Sequence, residues 1–255
     1  MAQKYTLKIY RGTVRKQYFE EFELELHYGA NVISSLMEIQ KNPVNKKGKK
    51  TTPVAWEQGC LEEVCGSCSM LVNGKPRQAC TALIEPYLKK SSTIVLAPFT
   101  KFPLIKDLVV DRNRMFENLK KVKAWIDPDG YFERGQGPKI SQDAQEALYV
   151  LSTCMTCGCC SESCPQINER SKFVGPAPVS QARLFNAHPS GKMHKNERLR
   201  PLQEEGGIAD CGNAQNCVKV CPKNIPLTES IAIIGKEVNK QAFRDFFKVG
   251  EEASD

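Results

Sequence analysis

Apolar and polar residues alternate near the start of the chain, which is the pattern of strands with one face in a core. The alternation is clear in residues 5–9 and again in residues 22–28, and its period of two predicts two amphipathic strands. After the second segment, the apolar positions of residues 32–39 recur at helical spacing. Asn31 can cap the helix that this spacing predicts, and Pro43 follows its end.

Three more strands are predicted before residue 100, in residues 69–72, 78–84 and 93–96. The first two flank Asn73-Gly74, a dipeptide typical of tight hairpin turns. The first part of the chain is therefore predicted to be a set of strands around one helix.

Helical spacing replaces alternation after about residue 103. Apolar residues recur at helical intervals over residues 108–126, and residues 128–138 are predicted to be a connector rich in glycine and proline. Ser141 can cap a following helix, and Thr228 can begin a long one that runs through Phe247. The pattern predicts a second, helical domain.

The twelve cysteines supply the candidate chemistry, because eleven of them fall into three sets with the spacing of iron–sulfur ligands. The first set is Cys60, Cys65, Cys68 and Cys80. Its opening matches the C-x4-C-x2-C spacing of plant-type [2Fe–2S] proteins, and Gly59 and Gly66 would let the backbone fold closely around a small cluster. A four-cysteine zinc site is the alternative, but zinc sites commonly use two CxxC-like pairs and only Cys65 and Cys68 form one.

The second and third sets both follow the bacterial run C-x2-C-x2-C-x3-C-P, and the third lacks one cysteine. The cysteines are Cys154, Cys157, Cys160 and Cys164 in the second set, and Cys211, Cys217 and Cys221 in the third. Ala214 stands where the third run would have its second cysteine.

An exchange between the two runs predicts two cluster sites, because in two-cluster ferredoxins the fourth cysteine of each run ligates the other cluster. The complete site, predicted to hold [4Fe–4S], consists of Cys154, Cys157, Cys160 and Cys221. The other site keeps only Cys164, Cys211 and Cys217. Three thiolates fit [3Fe–4S], and a four-iron cluster with water or another fourth ligand stays open.

Cys159 is the twelfth cysteine and lies outside these sets. Using it as a ligand would leave a single residue after Cys157, whereas Cys160 restores the x2 spacing. We interpret Cys159 as a buried bystander, since free cysteines mostly behave as small buried hydrophobes. A spare or redox-sensing thiol is the alternative.

Composition argues against several classes of protein. Twelve cysteines among 255 residues are fewer than the roughly 8–10 % that marks a disulfide scaffold. The net charge of +7 comes without the aromatic interleaving or motif of a nucleic-acid-binding protein, so we expect no nucleic-acid partner. The first residues form no apolar leader and no apolar run reaches ~20 residues, so we expect a reducing compartment and no membrane helix.

Nothing in the sequence predicts substrate chemistry. His27, His188 and His194 are scattered without ligand spacing, and Met155 and Met193 are interpreted as packing residues. The sequence has no glycine-rich phosphate loop and no nucleophile motif. We therefore expect three one-electron centres and no catalytic residue in this chain.

The order of the cysteine sets resembles the iron–sulfur subunit of succinate dehydrogenase and fumarate reductase. The resemblance covers nearly the whole chain and rests on the motifs CLEEVCGSC, CMTCGCCSESCP and CGNAQNCVKVCP. The stretches NPVNKKGKKTTPV and SKFVGPAPVSQARLFNAHP are similar to the Gram-positive, Bacillus-type branch. With the patterns above, it implies an α+β fold: a plant-type ferredoxin β-grasp domain over residues 1–104 and an all-α, bacterial-ferredoxin-like domain over residues 105–255.

The resemblance also implies partners. In that family a separate flavoprotein with covalent FAD oxidises succinate, and electrons pass through [2Fe–2S], [4Fe–4S] and [3Fe–4S] to a membrane-anchor cytochrome b and a quinone. For this chain we expect menaquinone and a peripheral position on the cytoplasmic face of the cell membrane. A fumarate reductase subunit that works in the reverse direction, or a free ferredoxin-like carrier, stays open.

One departure from the family bears on the quinone. Ubiquinone-reducing members carry a tryptophan pair shortly after the first Cys-Pro and a histidine after the first cysteine of the last run. Here those places hold Ile167, Asn168, Glu169 and Gly212. We therefore expect electrons to reach haem in a di-haem cytochrome b, with menaquinone reduced elsewhere in the anchor.

Overall fold

The structure is a computed structural model that describes residues 3–126 and 139–252. The connector predicted over residues 128–138 lies outside these ranges. Among the helices within them, none combines the length and the apolar character needed to cross a bilayer.

The chain divides into two compact units. The N-terminal unit is Met1–Arg112 with Met155–Glu162, and the C-terminal unit is Asn113–Cys154 with Ser163–Asp255. The domains predicted from the sequence divide the chain once, after residue 104, whereas the N-terminal unit also takes in a short segment around the second cysteine run.

Five strands form the main sheet of the N-terminal unit, in the order β2-β1-β5-β3-β4. They are β1 (Lys4–Thr13), β2 (Lys16–Glu25), β3 (Ser69–Val72), β4 (Lys75–Gln78) and β5 (Thr93–Ala97). β1 pairs antiparallel with β2 and parallel with β5, and β3 pairs antiparallel with both β4 and β5. Asn73 and Gly74, with φ of 49° and 75°, form the tight turn between β3 and β4 that this dipeptide predicts.

Helix α1 (Val32–Lys41) begins where the sequence predicts. The Asn31 side chain accepts from Ser34 N, and the Ser34 hydroxyl accepts from Asn31 N, both at 2.9 Å, which is a capping box. Buried residues of α1 share one hydrophobic core with alternate residues of β1. They are Tyr5, Leu7, Ile9, Val32, Ile33, Leu36 and Ile39. Both periodicities are confirmed here.

The strand predicted over residues 78–84 is wrong after Gln78. β4 ends at that residue, and Ala79 N donates to Cys68 O at 3.1 Å as the chain turns away. Helix α2 (Glu85–Leu88) follows, with a proline in its first turn, where a missing N–H is tolerated. β2 likewise ends at Glu25, so the last three residues of the alternating segment 22–28 lie outside the strand.

A short hairpin stands where helical spacing was predicted to begin. Its strands are β6 (Leu104–Lys106) and β7 (Val109–Val110). Asp107 in the turn has a left-handed φ of 50°, and its buried carboxylate accepts from Gly12 N at 2.6 Å and from Ala55 N at 2.8 Å. These long-range hydrogen bonds hold the segment in the N-terminal unit and explain why the helix begins later.

The remaining α-helices of the described residues are α3 (Asn113–Lys121), α4 (Gln142–Ser152), α5 (Cys159–Ser163), α6 (Pro176–Ala187), α7 (Lys195–Leu199), α8 (Asn216–Lys219) and α9 (Leu227–Glu252). All but α5 lie wholly in the C-terminal unit, whose described residues contain helices and no strand. Ser141 caps α4 by accepting from Ala144 N at 3.3 Å, and α9 begins one residue before Thr228. The two predicted helix starts and the α+β class are confirmed.

Candidate iron–sulfur sites

The first cysteine loop, residues 60–68, points backbone N–H groups at one thiol. Cys60 Sγ accepts three such hydrogen bonds, each at 3.3 Å. The donors are Glu62, Val64 and Cys65. Leu61 and Glu63 alternate with them and have left-handed φ values of 63° and 56°, which turn successive N–H groups to the same side. Such a concave run of N–H groups stabilises a negatively charged sulfur.

Gly59 makes room for the second thiol of this loop. A Cβ at Gly59 would lie 2.9 Å from Cys65 Sγ, closer than a real side chain could be. Hydrogen bonds from the Ser67 hydroxyl and from the Cys60 backbone lower the pKa of Cys65 to about 6. The thiolate, which is the form that ligates metal, is therefore available at Cys65 near neutral pH.

Cys68 and Cys80 are the buried members of the first set, at 4 % and 6 % exposure. Cys68 precedes β3 and Cys80 follows β4, and the pairing of these strands brings them together. Burial raises the pKa of Cys68 to about 11. Four soft thiol donors beside a loop of inward N–H groups fit a [2Fe–2S] cluster, and the assignment of these four ligands remains a prediction.

A second loop of the N-terminal unit carries Cys157, Cys159 and Cys160, at 9 %, 0 % and 8 % exposure. Thr156 and Gly158 on it have left-handed φ values of 50° and 85°. A hydrogen bond with the Cys159 thiol lowers the pKa of Cys157 to about 7. The same hydrogen bond raises the pKa of Cys159, and burial acts in the same direction. Cys159 is thus fully buried beside two predicted ligands, and its interpretation as a bystander remains a prediction.

These two loops meet at Gly66. Its φ is 75°, and a Cβ there would lie 2.9 Å from both Cys157 Cα and Met155 O. Arg112 holds the loop in place by donating to Gly66 O at 2.8 Å and to Ser67 O at 2.7 Å. The sequence predicts glycine here for the first cluster alone, and it gives no signal for Arg112, because the contacts of both residues are long-range.

The three thiols predicted for the incomplete site line one cavity of the C-terminal unit. Cys164, Cys211 and Cys217 form its wall together with Ala214, and part of the cavity is open to solvent. Burial raises the pKa of Cys217, and the neighbouring thiols of Cys164 and Cys211 act in the same direction. The structure brings these three thiols together, and the cluster that they hold remains a prediction.

In the cavity loop, residues 211–217, alternate residues have a left-handed backbone conformation, as in the first cysteine loop. Asn213 and Gln215, on either side of Ala214, have left-handed φ values of 49° and 60°. The Gln166 side chain covers the loop so closely that a Cβ at Gly212 would lie 2.4 Å from Gln166 Nε2. Gln166 is a lining residue that the sequence analysis missed, since the cysteine spacing carries no information about it.

Cys154 and Cys221 lie half-buried in the C-terminal unit, and Cys221 Sγ accepts from Ile225 N at 3.4 Å. Cys157 and Cys160, the other predicted [4Fe–4S] ligands, belong to the N-terminal unit. The set of four ligands stays a prediction.

Two family models match the chain. One is a 2Fe-2S iron-sulfur cluster binding domain over residues 6–117, and the other is a 4Fe-4S dicluster domain over residues 150–225. The succinate dehydrogenase iron-sulfur subunit of Bacillus subtilis is 60 % identical over 230 residues, which cover 90 % of this chain and 90 % of that protein. The chain belongs to this family of iron–sulfur subunits. The presence of a 2Fe–2S and a 4Fe–4S domain is thereby confirmed, and the boundary after residue 104 stays a prediction.

Iron–sulfur subunits of fumarate reductases are also similar to this chain, at lower sequence identity. The iron-sulfur subunit of Wolinella succinogenes fumarate reductase is 26 % identical, with 93 % of this chain and 98 % of that protein covered. The "Mycobacterium smegmatis Sdh1 complex in the apo form" contains a chain of the same fold, with a TM-score of 0.81, 21 % identity and coverage of 95 % and 98 %.

In residues 3–126 and 139–252, no group of three or more His, Cys, Asp or Glu side chains is placed to hold a single metal ion. The cysteine sets described above are included in this statement, so their thiols are not arranged around one ion. His194 Nδ1 lies 3.0 Å from a carboxylate oxygen of Glu197, and His27 is exposed on the N-terminal unit.

Proposed function

We propose that this chain carries electrons one at a time within a succinate dehydrogenase complex. In this proposal they enter from FAD in the flavoprotein subunit and leave to a membrane-anchor cytochrome b and menaquinone. The observation that carries the proposal is the gathering of Cys164, Cys211 and Cys217 around one cavity with Ala214 in its wall, in a chain of the succinate dehydrogenase iron–sulfur family. A three-thiol site in a chain that also carries two sets of four cysteines supports a series of different redox centres.

Three ligand sets would hold the clusters. They are Cys60, Cys65, Cys68 and Cys80 for [2Fe–2S], then Cys154, Cys157, Cys160 and Cys221 for [4Fe–4S], and Cys164, Cys211 and Cys217 for [3Fe–4S]. When bound, such clusters supply one-electron chemistry at potentials that charge, hydrogen bonds and exposure tune over roughly −700 to +450 mV. A relay of this kind is needed because a flavin takes two electrons from succinate and must release them singly.

The residues of the chain set the surroundings of each cluster. Backbone N–H groups directed at Cys60 Sγ would offset the negative charge that the first cluster gains on reduction. Burial of Cys68 and Cys80 would keep water away from its other side.

The surroundings of the three-thiol cavity support haem, rather than a quinone held by this chain, as the next acceptor. The position where ubiquinone-reducing relatives carry histidine is Gly212 here, and the Gln166 side chain fills the space beside it. We infer that electrons pass to a di-haem cytochrome b and that the chain is held peripherally at the cytoplasmic face of the membrane. Density for a quinone analogue lodged against Asn168 or Gly212 in the intact complex would contradict this part.

EPR spectroscopy of the purified complex tests the relay, first oxidised and then stepwise reduced, with spins quantified against iron. We expect a three-iron signal in the oxidised state, followed on reduction by a [2Fe–2S] signal and a coupled [4Fe–4S] signal. An oxidised sample that is silent despite full iron loading would show that the three-thiol site does not hold [3Fe–4S].

Ala214→Cys tests the ligand assignment. The added thiol should convert [3Fe–4S] to [4Fe–4S], remove the oxidised three-iron signal, lower the potential of that centre and slow quinone reduction. Ala214→Ser is the matched control, since a hydroxyl of similar size is a poorer ligand for iron than a thiolate. A folded Ala214→Cys complex with an unchanged oxidised signal would overturn the assignment of Cys164, Cys211 and Cys217.

The second candidate function is fumarate reduction, because the same electron path conducts in both directions. The similarity to fumarate reductase subunits favours keeping it. Steady-state rates of succinate oxidation and fumarate reduction by the same complex separate the two. A soluble carrier would instead fail to copurify with a flavoprotein and membranes.

A further inference from the structure

Gln78 is a buried amide between two cysteine loops of the N-terminal unit. It is the last residue of β4, two positions before Cys80, and its exposure is 0 %. A buried amide is unfavourable unless its donors and acceptor find partners. Gln78 Nε2 donates to Ser69 Oγ at 2.8 Å and to Cys159 Sγ at 3.6 Å, and Gln78 Oε1 lies 3.6 Å from Cys68 Sγ.

The two sulfur partners lie in loops that carry ligands of different predicted clusters. Cys68 is a predicted ligand of [2Fe–2S]. Cys159 stands between Cys157 and Cys160, which are predicted ligands of [4Fe–4S]. One side chain therefore links a ligand of the first centre to the loop that carries ligands of the second.

Ser69 fixes which end of the amide faces which sulfur. The Ser69 hydroxyl donates its single proton to Gly66 O at 2.7 Å. Towards Gln78 it can therefore only accept, and it must meet the NH2 end of the amide. Ser69 is itself buried, at 3 % exposure, so water does not replace this partner. The carbonyl end of Gln78 consequently points at Cys68.

This orientation has an electrostatic consequence. The carbonyl oxygen is the negative end of the amide dipole, and it lies against the thiol that would gain negative charge when [2Fe–2S] is reduced. The N–H end, which is positive, lies against the Cys157–Cys160 loop. In a dry interior such fixed dipoles act more strongly than they would in water.

We propose that Gln78 is a positioning residue that biases electron transfer from the first cluster towards the second, acting through Cys68 and Cys159. Its carbonyl disfavours reduction of [2Fe–2S], and its N–H favours negative charge on the Cys157–Cys160 loop. The proposal rests on the proposed electron relay and adds the residue that sets the direction of its first internal step.

Gln78→Met tests the proposal, because methionine is unbranched and of similar length but carries no amide. In the intact complex, redox titration followed by EPR should show that reduction of [2Fe–2S] becomes about tenfold more favourable, a rise of about 59 mV for a one-electron couple. Gln58→Met is the matched control, since Gln58 is an exposed glutamine beside the same cysteine loop. It should leave the midpoint potential unchanged.

Ser69→Ala is a second test that keeps Gln78 in place. Without the hydroxyl, the amide is free to turn its N–H end towards Cys68, so the [2Fe–2S] potential should again rise. An unchanged or lowered potential in both variants overturns the proposal, even if the three clusters of the wild-type complex are all present. A wild-type complex without a [2Fe–2S] signal overturns the proposal and the electron relay together.

Discussion

Replacing Arg198 by lysine should destabilise the C-terminal unit. Arg198 is buried, with an exposure of 1 %. Its Nε donates to Lys123 O at 3.0 Å, and its terminal nitrogens donate to Trp125 O and to Gly191 O, both at 2.6 Å. One guanidinium thus ties the segment after α3 to the segment between α6 and α7.

Lysine keeps the positive charge but has a single nitrogen, so it cannot span the carbonyl groups that the planar guanidinium reaches. A hydrogen bond from a charged donor contributes about 1.5–3 kcal/mol, and a buried carbonyl left without a donor costs about 1–3 kcal/mol. Loss of two of these backbone contacts should lower the free energy of unfolding by roughly 3–5 kcal/mol. Since each kcal/mol shifts the midpoint of a chain of this size by ~2–4 °C, we expect a fall of about 10 °C.

The assay is thermal loss of the visible iron–sulfur absorption in the full chain, with Arg200→Lys as the matched control. Arg200 lies two residues further along, is exposed, and undergoes the same chemical change. Its midpoint should stay within about 2 °C of the wild type, because surface substitutions usually change stability by less than ~0.5 kcal/mol. Equal midpoints for the two lysine variants would refute the assignment of these hydrogen bonds as a major source of stability.

Two further substitutions test the packing around the cysteine loops. Glu162→Gln should lower the free energy of unfolding by about 2–3 kcal/mol, since the buried carboxylate accepts from the backbone N–H and the hydroxyl of Thr100 and from Lys101 N. Urea unfolding of the N-terminal unit measures this loss, and a loss below about 1 kcal/mol would contradict the expected value. Gly66→Ala should reduce the [2Fe–2S] content of the purified chain, because its Cβ would lie 2.9 Å from Cys157 Cα. Gly74→Ala has the same φ of 75° with open space around it, so equal cluster content in the two alanine variants would exclude the steric explanation.

The sequence predicts those parts of the fold that depend on near neighbours. The capping box at Asn31, the hairpin turn at Asn73-Gly74 and the start of α4 are each determined within a few residues. The cysteine runs behave in the same way, since consecutive ligands of one cluster lie a few positions apart. Analogy between the two runs predicts that Cys164, Cys211 and Cys217 share one site, and the structure brings them to one cavity.

Residues that act over long separations could not be predicted in this way. Gln78 meets Cys159 across 81 positions, and Arg198 meets Lys123 across 75. A polar residue with no motif around it gives no sign of such a partner. Only the tertiary structure shows that these side chains are buried and what they contact.

The failed strand prediction over residues 78–84 shows how a cysteine loop limits the fold around it. β4 pairs with β3 from Lys75 to Gln78, and Gln78 lies opposite Ser69. A longer β4 would need residues before Ser69 as its partners. The nearest of those residues belong to the cysteine loop, and the carbonyl groups of Gly66 and Ser67 accept hydrogen bonds from Arg112 instead of pairing with a strand. The strand therefore ends where the loop begins, and alternation in the sequence of β4 alone cannot reveal that limit.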